Sequence, residues 1–154
     1  MNDATAQVSK TIAVAPAIVW RALTNPSSLK QFFFGSDIES DWQVGHSIRM
    51  KGEFKGKPYE DKGKILAFDP GKRLSFSHWS ALSGAPDAPQ NYHVVRFDLA
   101  PDGEGTTVTL TQSNLVGCAK PADREHRADY EKNWRGVLDG LANVVGVPRA
   151  AGSI

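Results

Sequence analysis

The chain has 154 residues, of which 40% are hydrophobic and 23% are charged, proportions typical of a soluble globular domain. Lysine and arginine exceed aspartate and glutamate by one, so no strong field attracts nucleic acid or anionic lipid. The single cysteine, Cys118, excludes an internal disulfide framework and a zinc site built from cysteines. Apolar runs are too short for a membrane span, and Met1–Asp3 lacks the features of a signal peptide. We therefore expect a cytoplasmic protein with one domain over residues 1–154.

The first part of the chain predicts one strand followed by two short helices. Alternation of apolar and other residues over 7–14 predicts the strand. Pro16 then stands at the first position of one helix, and Asn25 caps a second helix over residues 26–32. This helix runs into Phe32–Phe34, whose three rings cannot all face the core. At least one of them is expected at a cavity mouth or on the surface.

The middle of the chain predicts an antiparallel meander of strands. Gly56, the Pro70-Gly71 pair and Gly103 mark the tight turns between successive strands. The predicted strands cover residues 36–42, 46–54, 58–69, 73–80, 92–99 and 106–114.

The last part of the chain predicts one long helix from about Pro121 to Val145. Its apolar residues recur at spacings of three and four, which place them on one stripe: Tyr130, Trp134, Val137, Leu138, Leu141, Val144 and Val145. The charged run Asp123–Arg127 is expected to form a solvated first turn, in which Asp123 caps the helix.

These elements predict an α+β architecture of the helix-grip type. A curved antiparallel sheet of about six to seven strands would wrap around the long C-terminal helix. A single apolar stripe requires that helix to lie across the concave face of the sheet. Where the gap exceeds what side chains fill, a cavity remains between helix and sheet.

Short motifs along the chain carry a family resemblance. They are Val14–Pro16, Val19–Pro26, Gly63–Pro70, Arg73–Phe76, Pro101–Thr106, Val108–Thr111 and Asn133–Trp134 with Leu138 and Leu141. In this order they resemble the START-like (SRPBCC, Bet v 1-like) superfamily, and within it the homologues of the Hsp90 ATPase activator. The similarity covers roughly residues 7–146 and implies a helix-grip fold whose cavity often holds lipids, polyketides, hormones or other apolar molecules. Eukaryotic co-chaperones of this name have a separate N-terminal domain, so we do not expect chaperone activation to carry over.

No motif for metal, cofactor or nucleophilic chemistry is evident. The four histidines are His46, His78, His93 and His126. No two of them have the spacing of a helical zinc site, and no GxSxG elbow or phosphate-binding glycine pattern occurs. His78 and His93 fall on neighbouring predicted strands, with Asp87 or Asp98 nearby. We expect no metal and no cofactor, and Cys118 has no assigned role.

General acid–base chemistry is the alternative that the polar residues leave open. His78 shares strand parity with Leu74 and Phe76, so it projects into an apolar pocket if that face meets the helix. Burial there favours the neutral imidazole, which is a base. The candidate polar groups of the cavity are Tyr59, His78, Tyr92, Gln112, Asn114 and Tyr130.

Three functions therefore remain open. The first is binding of an apolar or aromatic small molecule, without nucleic acid or membrane as partner. Its pocket wall is predicted to consist of Phe34, Met50, Phe54, Tyr59, Phe76, His78, Tyr130 and Trp134. The second is a cyclase- or dehydratase-type enzyme that uses the same cavity. The third is a protein-interaction domain, chaperone-linked or homodimeric, with a filled interior and an apolar patch at Phe32–Phe34 or Trp42. The lack of a catalytic motif favours binding.

Overall fold

The secondary structure follows the predicted order of one strand, two short helices, a meander of strands and a C-terminal helical region. The computed structural model describes residues 5–117 and 120–152. Within them the strands are β1 (Ala6–Ile12), β2 (Asp37–Ser40), β3 (Ser47–Phe54), β4 (Lys57–Asp69), β5 (Arg73–His78), β6 (His93–Asp102) and β7 (Gly105–Asn114). The α-helices are α1 (Pro16–Leu23), α2 (Pro26–Phe32), α3 (Pro121–Glu125) and α4 (Arg127–Gly152). Cys118 lies outside the described residues.

The strands form one antiparallel sheet in the order β1-β7-β6-β5-β4-β3-β2. From β2 to β7, each strand pairs with the next strand in the chain, and β1 pairs with β7 at one edge of the sheet. A β-bulge between Ile65 and Ala67 interrupts the pairing of β4 with β5. The α+β prediction, with two short helices after the first strand, is confirmed.

Local sequence signals start the two short helices. Pro16 occupies the first turn of α1, where its missing N–H costs no hydrogen bond. The Asn25 side chain accepts hydrogen bonds from the backbone N–H groups of Ser27 and Ser28, at 2.9 and 3.3 Å. Both helix starts lie where the sequence predicts them.

The apolar stripe of α4 forms the centre of the core. Its buried members are Trp134, Val137, Leu138 and Leu141. The close backbone approaches of α4 to other elements are mainly to β1, α1 and α2. Where α1 and α2 cover the sheet, the residual cavity among Leu23, Phe33 and Phe97 measures only about 10 Å³, so this end of the core is filled. No helix within residues 5–117 and 120–152 is long and apolar enough to cross a membrane.

The C-terminal helical region differs from the prediction of one continuous helix. The chain forms α3, turns at His126 and then begins α4. In the predicted solvated turn, residues 124–127 are exposed and Asp123 caps the helix as expected, but Asp123 itself is only 4% exposed. Its carboxylate accepts hydrogen bonds from the Lys120 backbone N–H and from the Asn114 amide on β7, which ties α3 to the sheet.

The three consecutive phenylalanines separate as predicted. Phe32 and Phe33 are buried, whereas Phe34 is 57% exposed. Phe34 has a φ of 58° and Gly35 a φ of 69°, so two successive left-handed residues turn the chain from α2 towards β2. This turn places the Phe34 ring outside the core.

Two glycines of α4 provide a test of how closely α2 and α4 pack. A Cβ added at Gly140 would lie 2.7 Å from Phe32 Cβ, whereas a Cβ at Gly136 would meet nothing within 4 Å. We expect Gly140→Ala to lower the free energy of unfolding by about 1–3 kcal/mol through overpacking. Gly136→Ala should raise it by up to about 1 kcal/mol through helix propensity. Urea unfolding of both variants measures this, and equal stabilisation by both would contradict the close approach.

Candidate functional site

A groove opens between the sheet and the first turns of α4, beyond the filled end of the core. It has two lobes of about 350 Å³ each. Phe34, His78 and Trp134 line both lobes, as do Ser80 and Asn133, so the lobes adjoin at these residues. One lobe continues towards β6, β7 and Tyr130, and the other towards β3 and β4.

The structure brings seven of the eight predicted wall residues to this groove. Tyr130 lines the first lobe, and Met50, Phe54 and Tyr59 line the second. Phe34, His78 and Trp134 line both. Phe76 is the exception, because it is buried in the filled core, where its ring centroid lies 6.3 Å from that of Phe33. Phe54, at 52% exposure, forms part of the outer rim.

An aromatic pair stands at the junction of the two lobes. The ring centroids of Phe34 and Trp134 are 5.8 Å apart, in an edge-to-face arrangement that aromatic rings prefer. The indole Nε1–H of Trp134 donates a 2.7 Å hydrogen bond to the buried amide oxygen of Gln112 on β7. This bond satisfies the polar edge of Trp134 and fixes the ring plane.

His78 reaches the groove from the end of β5. Its Nε2 lies 2.9 Å from Asp61 Oδ2, and the other oxygen of Asp61 accepts a hydrogen bond from the Ala81 backbone N–H. Asp61 is a buried residue of β4. The sequence did not single it out, although it shares strand parity with Tyr59 and the buried Ile65.

His93 has a similar arrangement at the start of β6. Its Nε2 lies 2.9 Å from Oδ1 of the buried Asp123. Desolvation acts to raise the pKa of Asp123, but hydrogen bonds from the Lys120 backbone, His93 and Asn114 outweigh it. The pKa of Asp123 is therefore lowered, and its carboxylate stays ionised at neutral pH.

The two histidines are directly opposite each other in the β5–β6 register. Their carboxylate partners are not those expected from the sequence. Asp98 pairs with arginines on β5 and β6, and Asp87 pairs with Lys62. Residues that pair closely in the fold but lie far apart in sequence cannot be matched from strand order alone.

The predicted polar residues of the cavity divide between the two faces of the sheet. Tyr92 does not line the groove; its hydroxyl donates to Asp87, and burial followed by this bond raises the pKa of Tyr92 to about 12. Tyr130 lies in the groove, where burial and then the charges of Asp123 and Asp129 raise the pKa of its phenol. The Tyr59 hydroxyl is 3.1 Å from Ser36 Oγ.

The part of the chain that the structure describes contains no group of three or more histidine, cysteine, aspartate or glutamate residues placed to hold a metal ion. The side chains that line the groove offer aromatic surfaces, hydroxyl and amide groups, and two imidazoles that are each hydrogen-bonded to a carboxylate.

Comparison with known families identifies the fold. The family model "Activator of Hsp90 ATPase homolog 1-like protein" matches residues 13–146, which include β2 to β7, all of α1 to α3 and most of α4. The chain belongs to this family. It is thus a member of the START-like (SRPBCC, Bet v 1-like) superfamily, as the sequence motifs indicate. A comparison with curated proteins found no match.

Solved structures show the same fold. ChR145 from Cytophaga hutchinsonii is 41% identical, with a TM-score of 0.75, and the match covers 94% of this chain and 95% of that one. The Aha1 dimer from Colwellia psychrerythraea is 22% identical, with a TM-score of 0.65 and coverage of 90% and 93%. Ara h 8.0201 is 16% identical, with a TM-score of 0.66 and coverage of 90% and 95%.

The lowered pKa of Asp123 predicts how this family member responds to acid. The ionised carboxylate stabilises the fold above the ordinary pKa of aspartate, and this contribution is lost as the pH falls through the lowered folded-state pKa. We expect Asp123→Asn to lower the free energy of unfolding at neutral pH by about 1–3 kcal/mol, because a buried donor loses its acceptor. The difference should shrink as the pH falls below about 4.

Urea unfolding followed by circular dichroism over this pH range measures the effect. Asp129→Asn, at an exposed position of α4, is the matched control and should show no such change. A deficit in Asp123→Asn that stays constant in acid would contradict the role assigned to the ionised carboxylate.

Proposed function

We propose that this family member binds an apolar or aromatic small molecule, such as a lipid or a polyketide-like compound, in the groove between the sheet and α4. The observation that carries the proposal is the junction of the two lobes. There the paired rings of Phe34 and Trp134 and the imidazole of His78 line both lobes. A flat apolar surface next to a directional polar group suits an aromatic ligand that carries an oxygen function.

The dimensions of the groove support a small-molecule ligand. Each lobe, at about 350 Å³, lies within the range of about 300–1,000 Å³ that is usual for such sites. The filled end of the core leaves no comparable space, so the ligand would lie in the open groove rather than in an enclosed cavity. Tyr130 and Tyr59, one in each lobe, would supply hydrogen bonds at its two ends.

A protein partner is the alternative that the rim of the groove favours. Phe34, Phe54 and Leu82 line the second lobe and are each at least half exposed. Exposed apolar clusters often mark interaction surfaces. The related Aha1 from Colwellia psychrerythraea is described as a dimer, so the partner could be a second copy as well as a chaperone.

Native mass spectrometry of the protein purified from its own host tests the two functions together. A co-purifying small molecule with a one-to-one stoichiometry supports ligand binding. A ligand-free protein that doubles in mass as its concentration rises supports the homodimer instead. The mass of a retained ligand would also identify its chemical class.

A matched pair of variants tests the location of the binding site. We expect Phe34→Ala to weaken binding of the probe β-naphthol by about tenfold, since an aromatic contact contributes roughly 1 kcal/mol beyond the area it buries. Val44→Ala removes an equally exposed apolar side chain that does not line the groove, and should bind normally. Quenching of tryptophan fluorescence measures both affinities. Equal affinities of the two variants would contradict a site at Phe34.

A further inference from the structure

Two histidine–aspartate pairs face the same groove from neighbouring strands. His78 and His93 are directly opposite in the antiparallel register, and both line the first lobe. Side chains at opposed positions project from the same face, with Cβ atoms about 4.5–5.5 Å apart. Each imidazole is held by a carboxylate from a different element, Asp61 on β4 and Asp123 on α3.

The hydrogen bonds define which ring nitrogen is free to react. An ionised carboxylate only accepts hydrogen bonds, so Nε2–H of each ring donates to its aspartate. In the neutral imidazole the lone pair then lies on Nδ1. Neither Nδ1 has a hydrogen-bond partner within residues 5–117 and 120–152. The aspartate also stabilises the imidazolium that forms when Nδ1 takes up a proton.

The burial of their aspartates distinguishes these two pairs from a third histidine–aspartate pair on the surface. His46 Nδ1 lies 2.7 Å from Asp41 Oδ2, but both side chains are about half exposed and neither lines the groove. By contrast, Asp61 and Asp123 are buried. In a water-excluded position a carboxylate orients its imidazole more firmly than it does at an exposed position.

We propose that His78 and His93 form an acid–base pair that interconverts the keto and enol forms of an aromatic ketone bound in the groove. The proposal rests on the proposed function, because the groove must first hold the ligand. It assigns a reaction to residues for which the sequence shows no catalytic motif.

The proton transfers balance within the pair. Nδ1 of neutral His78 takes a proton from the carbon next to the carbonyl, and the electron pair of the C–H bond becomes the C=C bond of the enol. The carbonyl π pair takes a proton from Nδ1 of protonated His93, which becomes neutral. One proton enters the pair and one leaves it, so the total charge is unchanged, and the reverse steps regenerate the ketone.

The arrangement of the groove explains the choice of an aromatic ketone. Phe34 and Trp134 offer ring surfaces in the same lobe as His78, so a bound aromatic ring would present its neighbouring carbon to the base. On the strand beside His78, His93 lies near Tyr130, with ring centroids 6.0 Å apart. A carbonyl oxygen directed there would meet the protonated imidazole.

Exchange of protons for deuterium tests the proposal with β-tetralone, a bicyclic aromatic ketone, as the probe. Proton NMR in deuterium oxide follows exchange at the carbons next to its carbonyl, and perturbation of the Trp134 indole signal reports binding. We expect the protein to accelerate exchange above the buffer rate. His78→Gln should reduce the rate of protein-catalysed exchange by at least about a hundredfold. A glutamine keeps an N–H for Asp61 but has no basic nitrogen.

Further variants separate the roles of the individual groups. His93→Gln should slow exchange by at least about tenfold. Asp61→Asn should bind β-tetralone normally but exchange it more slowly, which marks Asp61 as a positioning residue. His46→Gln is the matched control and should behave as wild type, because its pair lies on the surface. Unfolding midpoints confirm that each variant is folded.

The outcomes distinguish the two proposals. Binding of β-tetralone without accelerated exchange would overturn the acid–base pair and leave ligand binding intact. Exchange that is unaffected in His78→Gln and His93→Gln, or equally reduced in His46→Gln, would also overturn it. Failure of β-tetralone to bind would count against both proposals, because the groove would then not accept an aromatic ketone.

Discussion

Burial of the apolar stripe of α4 is the constraint on which the rest of the structure depends. A helix with one apolar face must be covered on that face, and the twisted sheet curls around it. The covering is uneven, since α4 approaches β1, α1 and α2 closely but not the middle strands. The core is therefore filled at one end, around Leu138 and Leu141, and open at the other, beside Trp134. The groove thus results from the separation between α4 and the middle strands rather than from any missing side chain.

The sequence predicts this framework well because its signals are local. Helical spacing locates α4, strand alternation locates the meander to within a few residues, and Pro16 and Asn25 mark two helix starts. The turn at His126 could not be predicted in this way. It accompanies the burial of Asp123, whose partners on β6 and β7 are brought to α3 only by the fold. The sequence indicates Asp123 as a helix cap, but it does not indicate these partners on the sheet.

The same distinction applies to the candidate site. Strand parity for His78 and helical spacing for Trp134 place the two residues on facing surfaces, and the structure brings both to the groove. The partner of His78 is harder to predict, because Asp61 stands in a run of three charged residues, 60–62, which is typical of a solvent-exposed segment. The bulge at Ile65 further obscures how β4 aligns with β5. Phe76 lies on the predicted face of the sheet but in the filled part of the core. Strand parity gives the face on which a side chain lies, but not how far along that face the packing is complete.

The turn after α2 determines whether the aromatic residues there fill the core or line the groove between α4 and the sheet. Phe33 and Phe34 are adjacent in sequence, yet one ring is buried and the other is exposed at the groove. A left-handed conformation costs a residue with a side chain roughly 1–2 kcal/mol, so Phe34 adopts it only because its surroundings compensate. Contacts of its ring with Phe33 and Trp134 provide that compensation. A more extended backbone at this position would point the ring away from Trp134 and remove the junction between the two lobes. The strained turn and the aromatic wall are thus parts of one arrangement, in which packing at the mouth of the groove maintains the backbone that builds it.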